Sequence, residues 1–181
     1  TVPKERRIRP IHIWQSAAAI LFLLLASSVY LSTVGTKAET DLLQQYIPIA
    51  EMRSLTLPDG TKVQLNSKST LLYPQEFTGD SRSVFLLGEA NFKVKPDKKR
   101  PFIVKSNDLQ ITSLGTEFNV SAYPESQEIA TTLISGSIRV DYNNLTTSVI
   151  LHPNEQFAYN RNNKKYDLSN PDMDDVTACQ R

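Results

Sequence analysis

The chain has 181 residues, a formal net charge of +1 and hydrophobic residues at 40% of positions. That balance, without a basic stripe, excludes nucleic acid as the partner of its main surface. One cysteine, Cys179, excludes an internal disulfide framework, and two histidines, His12 and His152, are too few for a histidine-built metal centre.

Residues 1–12 carry Lys4, Arg6, Arg7 and Arg9 against a single acid, Glu5. Residues 13–34 carry no charge and have Trp14 and Tyr30 near their ends. At about 1.5 Å per residue a helix of this length crosses a hydrocarbon core about 30 Å thick. The flanking cations place residues 1–12 in the cytoplasm as a juxtamembrane segment and everything after 34 across the membrane. A cleaved secretory signal fits less well, because its apolar region spans about 7–15 residues. A lipoprotein signal needs a cysteine just after the run, and none is there. Ala17–Ala19 and Ala26-Ser27-Ser28 are the small residues usual in a single-pass anchor.

Residues 35–52 read as a periplasmic stalk or short helix ending near Pro48, with Leu42, Leu43 and Tyr46 at helical spacing. From Arg53 the period becomes two. Leu55 and Leu57 lead into Pro58-Asp59-Gly60, and Val63 and Leu65 follow, which predicts strand, tight turn, strand. The same reading places turns at Gly88-Glu89, Asn107-Asp108, Gly115, Ser135-Gly136 and Pro153-Asn154. Turn signals about every nine residues are those of antiparallel all-β folds. Residues 53–166 are therefore expected to form an antiparallel sandwich or jelly-roll-like domain, with a short β-solenoid as the alternative. Residues 167–181 read as a linker to a further carboxyl-terminal module.

Chemistry-bearing patterns are sparse. Asp172, Asp174 and Asp175 have part of a calcium-loop spacing but lack its glycine and closing glutamate. No phosphate loop or nucleophile–base pair is legible, so no enzyme, metal or cofactor is expected. Gly115-Thr116 is the one bond with intrinsic reactivity, since a threonine hydroxyl can attack the preceding carbonyl; a bulge or turn glycine beside an ordinary strand threonine is the better reading of the pair from the residues alone.

As a set, these residues resemble the periplasmic domain of the FecR family of transmembrane anti-sigma factors. The matching positions are Leu57, Pro58, Asp59 and Gly60; Gly88, Glu89, Phe92 and Val94; Gly115, Thr116, Phe118 and Val120; Gly136 and Val140; and Pro153 with Glu155. The resemblance covers about residues 53–159. It implies an inner-membrane, single-pass regulator of an extracytoplasmic-function sigma factor. The sigma factor would be held by a cytoplasmic domain preceding Thr1. The signal would come from the signalling domain of a TonB-dependent outer-membrane receptor, through a region beyond Tyr166. Envelope proteases would complete the release. Gly115-Thr116 matches the pair at which some members split themselves. The alternative is an anchored or secreted ligand-binding β-sandwich of the envelope, whose sugar platform would rest on Tyr73, Tyr123, Tyr142 and Tyr159.

Overall fold

A computed structural model describes residues 19–30, 42–46, 48 and 51–171. The chain divides into two compact units, 1–39 and 40–181. In the first, residues 19–30 form a helix about 18 Å long at about 1.5 Å per residue. Among the described residues no helix is long and apolar enough to cross a membrane. The rest of the expected span 13–34 lies outside the described residues. So do segment 1–12, most of the expected stalk and the carboxylates Asp172, Asp174 and Asp175.

The second unit is built from strands. They are β1 (Leu42–Tyr46), β2 (Arg53–Thr56), β3 (Lys62–Leu65), β4 (Thr70–Pro74), β5 (Arg82–Lys93), β6 (Phe102–Lys105) and β7 (Gln110–Ser113). There follow β8 (Glu117–Ala122), β9 (Glu128–Ser135), β10 (Ile138–Tyr142), β11 (Thr147–Leu151), β12 (Gln156–Asn160) and β13 (Tyr166–Ser169). Strand makes up 51% of the described residues against one short helix, so the all-β expectation holds. The strands form one curled sheet with two arms. The first arm runs β1–β4–β5–β6–β7–β10–β11. The second runs β2–β3–β5–β8–β9–β12–β13.

β5 belongs to both arms, and this corrects one expected turn. Gly88-Glu89 is not a turn but the middle of a 12-residue strand. The strand pairs with β4 and β6 through Arg82–Leu87 and with β3 and β8 through Gly88–Lys93. Gly88 has φ +99°, a conformation that favours glycine, and the strand bends there. The bend is sharp. Arg82 Nη1 donates to the Lys95 carbonyl at 2.9 Å, although 13 residues of straight strand would separate them by roughly 43 Å. Bending also lets β6 lie parallel to the start of β5 after a short connection, the one exception to antiparallel pairing among the described strands. Asp97 organises that connection. Its carboxylate accepts the amides of Lys99 and Arg100, which hold its pKa below the usual 3.8. A β-solenoid, with its parallel rungs, is not formed.

A second correction concerns residues 42–46. They are a strand paired with β4, not a helical turn. Only one of the five is even partly buried, so the ladder hydrogen bonds hold them rather than an apolar face. The turns at Ser135-Gly136 and Pro153-Asn154 exist, but each carries the chain from one arm to the other instead of closing a hairpin.

The inward faces of the two arms meet over an apolar core. Phe92 stacks on Phe118 at 5.4 Å and tilts against Phe102 of the first arm at 6.0 Å. Tyr142 of β10 packs on Phe157 and Tyr159 of β12 and on Tyr166 of β13 at 5.2–5.8 Å.

Candidate functional site

The first group of sequence-selected residues, Leu57–Gly60, forms a clasp. Leu57 is buried, and its carbonyl accepts the Gly60 amide at 2.8 Å, closing the turn between β2 and β3. Asp59 Oδ1 accepts the Thr61 amide, and Oδ2 accepts both the Thr61 hydroxyl and Arg82 Nη1 at 2.7 Å. The Thr61 hydroxyl in turn accepts the Lys95 amide at 3.1 Å. Arg82 is 1% exposed and the largest fully buried side chain among the described residues. Besides Asp59 and Lys95 it donates through Nε to the Arg100 carbonyl at 2.9 Å and lies 5.5 Å from the Phe102 ring. The arrangement ties the β2–β3 turn to both ends of bent β5. Arg82 is a residue that sequence reasoning missed.

Gly88 and Glu89 form the bend. A Cβ on Gly88 would lie 2.7 Å from Ser69 Cα. The Ser69 hydroxyl accepts the Glu89 amide at 2.8 Å and donates to the Glu89 carbonyl at 3.0 Å. The Glu89 carboxylate accepts Asn66 Nδ2 on one oxygen and Asn119 Nδ2 on the other. Phe92, Val94, Phe118, Val120 and Val140 are all in the core.

Gly115, Thr116 and Gly136, separate in sequence, come together. A Cβ on Gly136 (φ +93°) would meet Thr116 Cγ2 at 2.5 Å, and one on Gly115 (φ +140°) would meet Pro96 Cα at 2.7 Å. Thr116 Oγ1 is 2.6 Å from Ser113 Oγ, which also accepts the Gly115 amide. The junction lines an open groove of about 580 Å³ with Leu114, Ile138 and Ile150. Pro153 and Glu155 lie elsewhere, in the turn between β11 and β12. There a Glu155 oxygen accepts the His152 amide at 2.8 Å and the Glu155 carbonyl accepts the Leu133 amide at 2.9 Å. The selected residues thus hold the fold together at four separate places. Among the described residues no three His, Cys, Asp or Glu side chains converge on a metal position.

The sequence profile of the family described as FecR protein matches residues 47–139, half of the chain. The chain belongs to the FecR family. Two crystal structures from Parabacteroides distasonis, each of a candidate anti-sigma factor, are similar to it. One is 39% identical with a TM-score of 0.73, over 76% of this chain and 63% of that one. The other is 38% identical with a TM-score of 0.72, over 75% and 63%. The chain therefore spans under two thirds of the length of these relatives. No protein of curated function matches it.

The FecR match contains the clasp, the bend and the glycine junction, and it ends before Val140, Pro153 and Glu155. It also contains five of the seven members of a feature that no single stretch of sequence displays. On the outer face of the second arm, paired positions place Ser54, Gln64, Asn91, Asn119, Thr132, Gln156 and Ser169 side by side across seven strands. Glu89 holds Asn119 within this row, and Gln156 Nε2 donates to the Thr132 hydroxyl at 2.9 Å. The four tyrosines on which the alternative's sugar platform would rest are not gathered on one open face. Tyr142 and Tyr159 are core residues, Tyr73 packs against the core, and the Tyr123 hydroxyl donates to the Ser67 carbonyl.

Proposed function

We propose that this chain is the membrane-anchored, periplasmic part of an anti-sigma regulator of an extracytoplasmic-function sigma factor. Membership of the FecR family carries the reading, supported by the likeness to candidate anti-sigma factors at 39% and 38% identity. The uncharged run 13–34, with cations before it, supports a single inner-membrane span with its amino end in the cytoplasm. Domain limits follow from this: a juxtamembrane segment, one span, a short connection and the β unit. The sigma factor is held by a domain before Thr1, and a TonB-dependent receptor's signalling domain engages a region beyond the β unit. Envelope proteases then release the sigma factor. The test is co-purification of the full-length gene product with the sigma factor encoded beside it. A stable complex is expected; loss of the sigma factor under mild wash sinks the reading and leaves the envelope ligand-binding module.

A single self-cleavage at Gly115-Thr116 belongs to the same reading. The Thr116 hydroxyl attacks the Gly115 carbonyl, the C–N bond breaks as C–O forms, and the hydroxyl proton passes to nitrogen. Water hydrolyses the ester to a Gly115 carboxylate and restores the hydroxyl. In its support, Gly115 is held at φ +140° with no side chain to shield the carbonyl, and Ser113 Oγ is 2.6 Å from the attacking oxygen. Intact mass measurement should find two fragments from the wild type and none from Thr116→Ala. The same two fragments from the variant exclude the hydroxyl mechanism.

A further inference from the structure

The outer face of the second arm holds an open groove of about 450 Å³, lined on β2, β3, β5 and β8 by residues that include Thr56, Lys62, Gln64, Asn91, Lys93 and Glu117. Two features of it ask for a ligand. Asn91 is only 9% exposed, and among the described residues its Oδ1, a buried acceptor, has no hydrogen-bond partner. Such an acceptor carries a standing desolvation cost that a ligand hydroxyl or amide would relieve. Lys62 and Lys93 are directly opposed on neighbouring strands, a like-charge pairing that disfavours the sheet. Lys93 has Glu117 at 3.2 Å, while Lys62 has no ion-pair partner among the described residues. An anion between the two amines would remove the conflict.

The row beside these lysines sets the shape of the ligand. Its members lie one per strand, so they repeat at the strand separation of about 4.8 Å. A pyranose chain laid across β2, β3 and β5 advances one ring at close to that step and presents its hydroxyls to Ser54 and Gln64, beside the buried Asn91 amide. An extended peptide does not keep step, because its same-side residues recur at about 6.8 Å, and it would bind along an edge rather than across a face. Among the described residues no aromatic ring lines the groove, so discrimination there rests on hydroxyl pattern and charge rather than on stacking.

We propose that this face binds an acidic glycan, with a uronate-type carboxylate between Lys62 and Lys93 and a ring hydroxyl bonded to the Asn91 amide once that side chain turns toward the groove. The site is independent of the sigma-factor assignment, and its failure leaves the co-purification test untouched. The full chain in detergent micelles is titrated calorimetrically with tetragalacturonate and with its methyl ester, which has the same rings without the charge. Saturable binding of the acid is expected, at least tenfold weaker for the ester. It should also fall at least tenfold in the Lys62→Gln/Lys93→Gln variant, whose positions are exposed and whose melting curve should match the wild type. Asn91→Ala should weaken the acid and the ester alike. Absence of binding at millimolar acid, equal affinity for the ester, or binding unchanged by the lysine substitutions overturns the proposal.

Discussion

Without the Asp59 carboxylate, the Arg82 guanidinium would remain 1% exposed with no counter-charge. Breaking one side of a buried pair typically costs about 3–5 kcal/mol, so urea denaturation of Asp59→Ala should lose about that much. Adding Arg82→Met should return part of the loss, because the charge needing a partner is gone; a double variant weaker than the single one would contradict the clasp. The glycine junction gives a second test. Gly136→Ala forces a side chain onto φ +93° and against Thr116 Cγ2, and should cost about 1–3 kcal/mol in the same assay. Thr116→Ser removes that methyl and should recover the steric share but not the backbone share. The motif residues were legible as a set, while their roles were not. Asp59 and Glu89 look like surface turn acids until Arg82 and the two asparagines are brought to them from other strands. Arg82 gave no signal, because an arginine at the start of a strand is ordinarily solvated. The row from Ser54 to Ser169 was invisible for a related reason. Its members are polar residues, individually unremarkable, aligned only by strand register.

The strand alternation was readable wherever one face of a strand is buried, as in β3, β8 and β12. It misled where a local signal outweighed the long-range one. Gly88-Glu89 has turn chemistry, yet hydrogen bonds from Ser69 and pairing on both sides keep the strand continuous through it. Leu42, Leu43 and Tyr46 suit a helix, yet the free edge of β4 offers a ladder that an isolated turn cannot match. The packing of β10 on β12 and β13 predicts a pH response. Burial and then the neighbouring Tyr166 raise the Tyr142 pKa above its ordinary 10.0. In an unfolded chain the phenol ionises first, so the stabilisation is complete below pH 10 and declines as pH rises through the window above it. Thermal melts between pH 9 and 12 should show Tyr142→Phe losing less stability across that window than the wild type. Identical pH slopes would remove Tyr142 as the cause.

Because β5 supplies a strand to each arm, neither arm can lose its order alone. The whole β unit should unfold in one transition, with far-ultraviolet circular dichroism and tyrosine near-ultraviolet signals coinciding along a urea series. Two separated midpoints would show that the arms are independent. Gly88→Ala should move both signals together to lower urea. The outermost strands stand apart from this cooperativity. All four residues of β13 are exposed, and β1 is scarcely better covered. Strands held by so little apolar burial are the first to fray. A peptidase meeting the folded molecule would therefore find its grip at the hems, and trimming from either side would stall at the buried rungs. Degradation would leave a resistant kernel bounded by β3 and β12, and whatever each hem is fastened to would be let go before the fabric between them tears.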